Sequence, residues 1–135
     1  MHIMPINWWA LIAAIASNFI VGGLWYSPVL FIMPWLAMSG VSKPVFDAGL
    51  PRALIGDLFS SVAMALTINQ IIRFADTSTL GQSLVVTTWM WLGFVVAVLI
   101  GSVTYEHRPL AYLAINAGYR LVTMTIMGVI LTLWR

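Results

Sequence analysis

Asp57 and Arg120 are the residues of this sequence best placed to do chemistry, because each stands inside a long apolar stretch. An ionised side chain near the middle of a membrane helix costs at least about 2.5–3.5 kcal/mol unless it is paired or hydrated. Such groups therefore face a protein interior or water, and they mark candidate sites. Asp57, Ser61, Ala65 and Asn69 follow one another at four-residue spacing, as do Asn116 and Arg120, with Tyr119 and Thr123 beside them. Residues at this spacing share a helix face. Helical side chains lean toward the start of their helix, so Arg120 reaches toward the level of Asp57. An Asp57–Arg120 ion pair is the leading expectation. Asn116 and Tyr119 supply further hydrogen-bonding groups, Asn18 faces the cluster from another helix, and Glu106 is the rival partner for Arg120.

Two chemistries fit that pattern. In one, the pair only fixes helix register and keeps each charge away from lipid. In the other, it lines a polar site for an ion, a proton or a small polar solute. Asp57 is then the proton- or cation-sensitive group, and Arg120 sets its charge state or binds an anion. Other chemistries find less support. The chain has no cysteine, which excludes disulfides, thiolate metal ligands and thiol nucleophiles. His2 and His107 are expected on opposite membrane sides, so no metal site is expected, and the eight methionines read as adaptable apolar packing. There is no zinc-binding helix motif, phosphate-binding loop or nucleophile elbow. Ser60 and Ser61 have no histidine near them in sequence. A lipid-directed enzyme using Glu106 and His107 has no motif behind it, so the expectation is a non-enzyme without cofactor.

The elements that must position these groups follow from composition. Of 135 residues, 61% are hydrophobic and 7% charged, too few charges to cover a water-facing surface. About 20 apolar residues cross a hydrocarbon core of about 30 Å, and backbone groups in lipid must be satisfied within the segment. The expected fold is all-α: an integral membrane four-helix bundle forming a single domain. Its spans are expected at about 6–27, 51–72, 82–104 and 110–134. Pro28 and Pro34 divide the first uncharged stretch, so a short interfacial or re-entrant segment is expected after the first helix. The segment 40–52, with Gly40, Ser42, Pro44, Gly49 and Pro51, has loop composition. Ala14-Ile15-Ala16 resembles a cleavage site, but no Lys or Arg precedes it, so the first helix is expected to be retained.

Trp8, Trp9 and Trp134 are expected at one interface, and Trp25, Tyr26, Trp35, Tyr105 and Tyr112 at the other. Trp89 and Trp91 lie deeper, as packing or lipid-facing groups. Lys43, Arg52 and Arg108 on one side against Arg73 and Arg135 on the other leave orientation undecided and admit insertion both ways. The scattered basic residues form no patch for nucleic acid. Small residues recur every four positions: Gly93, Ala97 and Gly101 on the third span, Ala10, Ala14 and Gly22 with Asn18 on the first, Ala114 and Gly118 on the fourth. Such stripes let helices approach closely, within the chain or in a homo-oligomer.

Two stretches carry a family resemblance. Gly23-Leu24-Trp25-Tyr26-Ser27-Pro28, continuing to Phe31 and Trp35, resembles the signature of a prokaryotic membrane family, domain of unknown function 1761. So does Tyr105-Glu106-His107-Arg108-Pro109 with Ile115-Asn116-Ala117-Gly118-Tyr119. The resemblance implies a four-helix protein of the plasma membrane of a bacterium or archaeon, surrounded by lipid. It implies no activity. It places Tyr26, Ser27, Glu106, Asn116 and Tyr119 toward one membrane side, where Tyr26 joins Asn116 and Tyr119 in lining the cluster. The functional expectation is transport or binding of a small polar solute or ion. The alternative is a non-catalytic assembly module of a membrane complex.

Overall fold

The computed structural model describes residues 2–135 and contains only helices among them. In chain order these are α1 (Trp8–Trp25), α2 (Ile32–Ser39), α3 (Lys43–Phe74), α4 (Leu80–Trp91), a π-helical turn (Leu92–Val96), α5 (Ala97–Thr104) and α6 (Leu110–Leu133). Four helical segments are long and apolar enough to cross a membrane: α1, α3, the continuous stretch Leu80–Thr104, and α6. This is the helical membrane bundle expected from composition, with the short α2 after the first span.

Helix ends follow local chemistry. Asn7 caps α1 by accepting from the backbone N–H groups of Trp9 and Ala10. Thr79 and Gln82 form a reciprocal capping box at the start of α4. Gly40, in the left-handed region at φ 76°, ends α2. The Asn7 side chain reaches the backbone carbonyl of Trp134, so the first and last helices bring their outer ends together.

The loop composition of residues 40–52 misleads. The structure begins α3 at Lys43, eight residues before Pro51, and the helix runs through that proline. Pro44 sits in the first turn, where its missing N–H costs nothing. Pro51 removes one intrahelical hydrogen bond, and the turns before it are in contact with α2. Phe46 packs edge-on against Trp35 of α2, with ring centroids 5.8 Å apart. Lys43 and Asp47 add an exposed ion pair at 2.7 Å. At about 1.5 Å per residue α3 is longer than the hydrocarbon core is thick.

α6 is the central helix, in contact with every other helical element, and α1, α3 and α4 take its main faces. Near the chain termini the bundle is closely packed around Ala10, Leu11, Ala14, Ala65, Ile68, Ile72, Met127 and Leu131. Burial here is from lipid as well as from water, so contact rather than transfer free energy holds the helices. Gly128 allows the closest approach: a Cβ there would collide with the methyl of Thr87 on α4.

The π turn ends this tight packing. Ser83, Thr87 and Met90 face inward on α4, and their α-helical continuation would be Phe94, Ala97 and Gly101. One extra residue in a turn rotates the downstream helix by about 100°. The face turned inward is instead Val95, Leu99 and Ser102, all half-buried. Among the described residues, the stripe of Gly93, Ala97 and Gly101 therefore packs on no other helix within the chain. Gly93 and Ala97 are exposed, and only the Tyr105 side chain comes near Gly101. The other small residues do pack. Ala14 is fully buried, a Cβ on Gly22 would come 2.9 Å from the Tyr119 hydroxyl, and one on Gly118 would come 3.0 Å from the Trp25 ring.

Candidate functional site

Three helices supply the cluster. Asn18, completely buried on α1, is its hub. Its Nδ2 donates to Asp57 Oδ2 of α3 at 2.9 Å. Its Oδ1 accepts from Arg120 Nη1 at 3.3 Å and from the Tyr119 hydroxyl at 3.0 Å, both on α6. Arginine can only donate, so the amide orientation of Asn18 is fixed by its neighbours. Arg120 Nη2 lies 3.4 Å from Asp57 Oδ1. The two charged faces therefore meet. Their contact is longer than the roughly 2.7–2.9 Å of a well-formed charge-assisted hydrogen bond. About a quarter of each side chain stays exposed, 27% for Arg120 and 26% for Asp57. The guanidinium also lies over the Tyr119 ring, 4.8 Å from its centroid.

One helical turn earlier on α6, Asn116 Oδ1 accepts from the Tyr26 hydroxyl at 2.8 Å and from Trp35 Nε1 at 3.1 Å. An indole N–H can only donate, so the Asn116 oxygen must face Trp35. Its Nδ2 has no hydrogen-bond partner among the described residues. Tyr26, Trp35, Phe46 and Tyr112 form an aromatic layer above it, with Trp35 stacked on Tyr112 at 6.2 Å and Tyr26 edge-on to Tyr119 at 5.3 Å.

Between α3 and α5, which are not closely packed together, lies a cavity of about 830 Å³. Asp57, Arg120, Tyr119 and Asn116 supply polar groups to its wall, and Leu54, Phe94 and Val98 belong to its apolar walls. Apart from the ion pair, no charged residue lines it among the described residues.

Of the site residues read from sequence, Asp57, Arg120, Asn18, Tyr119, Asn116 and Tyr26 come together. Glu106 does not. It is exposed in the turn after α5 and lines a separate cavity of about 350 Å³ with Tyr105, Tyr112 and Asn116. Residues 105–109 are held to α2 instead: His107 takes φ 56°, and Arg108 donates to the Met38 carbonyl at 2.9 Å.

Sequence reasoning missed the tryptophan donors. Trp25 and Trp91 donate to the Ile115 and Ala117 carbonyls of α6 at 3.0 and 2.7 Å. An indole N–H within the apolar layer needs such a partner, so Trp91 is a bridging group, whereas Trp89 is 70% exposed. Trp25, Tyr26 and Trp35 likewise face α6 rather than serving only as an interfacial belt. Phe46 carried no signal, because its segment reads as loop.

The family described as Protein of unknown function (DUF1761) matches residues 9–132. No curated protein and no solved structure matches the chain. The chain belongs to the DUF1761 family.

Proposed function

We propose that this member of a family of unknown function binds a small molecule within the membrane, holding its polar group at Asp57, Arg120 and Asn116, with the buried Asn18 positioning the charged pair. The observation that carries this reading is the cavity of about 830 Å³ whose wall includes a loosely closed charged pair. Ligand sites are typically clefts of about 300–1,000 Å³ with apolar walls and a few placed polar groups. The long Asp57–Arg120 contact leaves both partners capacity for a third group.

In the form expected from sequence, that group belongs to a small polar solute or an ion. Transport then requires the pair to separate during a cycle, with Asp57 changing its proton or cation occupancy. The setting is a lipid bilayer, with the plasma membrane of a bacterium or archaeon as the expected one. The reading assigns no covalent step.

The test is a double-mutant cycle on thermal stability in mild detergent, using Asp57→Leu, Arg120→Leu and the double variant. A ligand site with hydrated, loosely paired charges predicts a coupling below about 1 kcal/mol. Severe loss in each single variant, of about 3–5 kcal/mol, with recovery in the double variant would make the pair a structural bridge instead.

A second reading has its own observation. Gly93 and Ala97 present an uncovered small-residue face on the third span, which favours an assembly module or homo-oligomer through close helix approach. It predicts an oligomer, or a defined copurifying protein, that is lost in Ala97→Leu.

A further inference from the structure

We infer that the ligand of this site is an uncharged amphiphile that dissolves in the bilayer and enters sideways between α3 and α5. This rests on the binding reading above and adds the chemical class and the route.

Packed side chains lie at both ends of the cavity. The aromatic layer of Tyr26, Trp35, Phe46 and Tyr112 covers one. The packed core around Ile68, Ile72, Met127 and Leu131 fills the bundle beyond the other. The side stays open. Leu54, Phe94 and Val98 line the cavity and are 47%, 72% and 73% exposed, so they form its rim. A water-soluble solute meets an apolar rim there, whereas a molecule dissolved in the hydrocarbon layer is already at the opening.

Depth narrows the class further. Arg120 lies about 15 Å along α6 from Leu110 and about 20 Å from Leu133, close to mid-membrane. A phospholipid headgroup sits at the interface, roughly 15 Å from the centre of a core about 30 Å thick, and drawing its phosphate to this level means burying a charge. The ion pair is neutral as a unit, and no further charge among the described residues lines the cavity to balance a charged head. The unspent groups are the remaining N–H groups of Arg120, the Nδ2 of Asn116 and the carboxylate lone pairs of Asp57 that Asn18 and Arg120 do not use. They select a head with oxygens that accept or donate, such as a carbonyl, ester or hydroxyl, on an apolar body that lies along Leu54, Phe94 and Val98.

The probe is 1-monolauroylglycerol, added to the protein in phosphatidylcholine nanodiscs and read as bound complexes by native mass spectrometry. Dodecanoate, dodecyltrimethylammonium and glycerol are the comparisons. One equivalent of monolauroylglycerol is expected to bind saturably, at least ten-fold more tightly than either charged amphiphile, with glycerol not retained. Asn116→Ala, Arg120→Gln and the rim-filling Val98→Trp should each weaken it about ten-fold. Equal or tighter binding of glycerol or a charged amphiphile, sensitive to Arg120→Gln, would overturn the amphiphile class and leave the binding reading standing. Absence of saturable binding by every probe, or binding indifferent to Arg120→Gln and Asn116→Ala, would overturn both.

The route has a measurement that needs no ligand. The chain has no cysteine, so a nitroxide on Ser60→Cys reports one place in the cavity wall. Relaxation by dissolved oxygen with protection from a water-soluble nickel chelate is expected. Strong relaxation by the chelate would overturn the lateral route alone.

Discussion

The two halves of the bundle are built from the same four spans and solve different problems. Near the chain termini, α1, α3, α4 and α6 meet around Ala10, Ala14, Ala65, Ile68, Met127 and Gly128. Small side chains there bring backbones together, and contact between helices replaces contact with lipid. Beyond the π turn, α5 packs on α6 but not closely on α3, and the gap holds the charged pair. Position therefore matters as much as composition. Gly128 and Gly93 are both mid-helix glycines, yet one admits a neighbouring helix and the other faces outward. Polar groups divide in the same way. In the packed half, Ser83 and Thr132 are buried against neighbouring helices. In the open half, Asn18 ties Asp57 and Arg120 together, Asn116 is held by Tyr26 and Trp35, and Asp57, Arg120 and Asn116 line the cavity.

The sharpest way to break this comparison is to place one side chain in each half. Gly128→Leu forces a side chain into Thr87 and Ser83 and should destabilise by about 1–3 kcal/mol or more, whereas Gly93→Leu should stay within about 0.5 kcal/mol. Both are read as thermal midpoints in detergent, and equal losses would erase the distinction between the halves. Asn18→Leu comes next. It removes the hub, taking the side-chain partner from Asp57 Oδ2 and Arg120 Nη1 and leaving the Tyr119 hydroxyl only the backbone carbonyl of residue 18, at a cost of about 1–3 kcal/mol. Denaturation that matched the parent would show that the network does not hold α1 to α3 and α6. The smallest effect belongs to Trp35→Phe, which keeps the aromatic layer and deletes one hydrogen bond to Asn116. A loss of about 0.5–1.5 kcal/mol is expected, and a larger one would mean that this layer carries stability as well as lining the cavity.

Much of the cluster is legible in the sequence because charge in an apolar stretch leaves few choices. Arg120 needs a partner, the four-residue spacing gives its face, and the lean of helical side chains gives its level, which together single out Asp57. Asn18 and Gly22 share a face of α1 for the same reason of periodicity. Glu106 reads as the rival, since sequence distance cannot show that the turn at residues 105–109 is held to α2 through Arg108 and the Met38 carbonyl. The segment 43–50 reads as loop because local propensity is the only signal there, and the contact of Phe46 with Trp35 is invisible to local propensity.

The sequence by itself determined that the chain is a set of four apolar helices, roughly where they break, and which polar side chains must find partners within them. These follow from the thickness of a bilayer, the need to satisfy backbone groups inside it and the cost of a charge there. Only the tertiary structure decided which faces meet. A single extra residue at Leu92–Val96 rotates everything after it, turning Gly93 and Ala97 outward and Val95 and Leu99 toward the cavity. Side-chain periodicity assumes an unbroken helix, so a shift of one residue in the hydrogen-bond ladder is invisible to it.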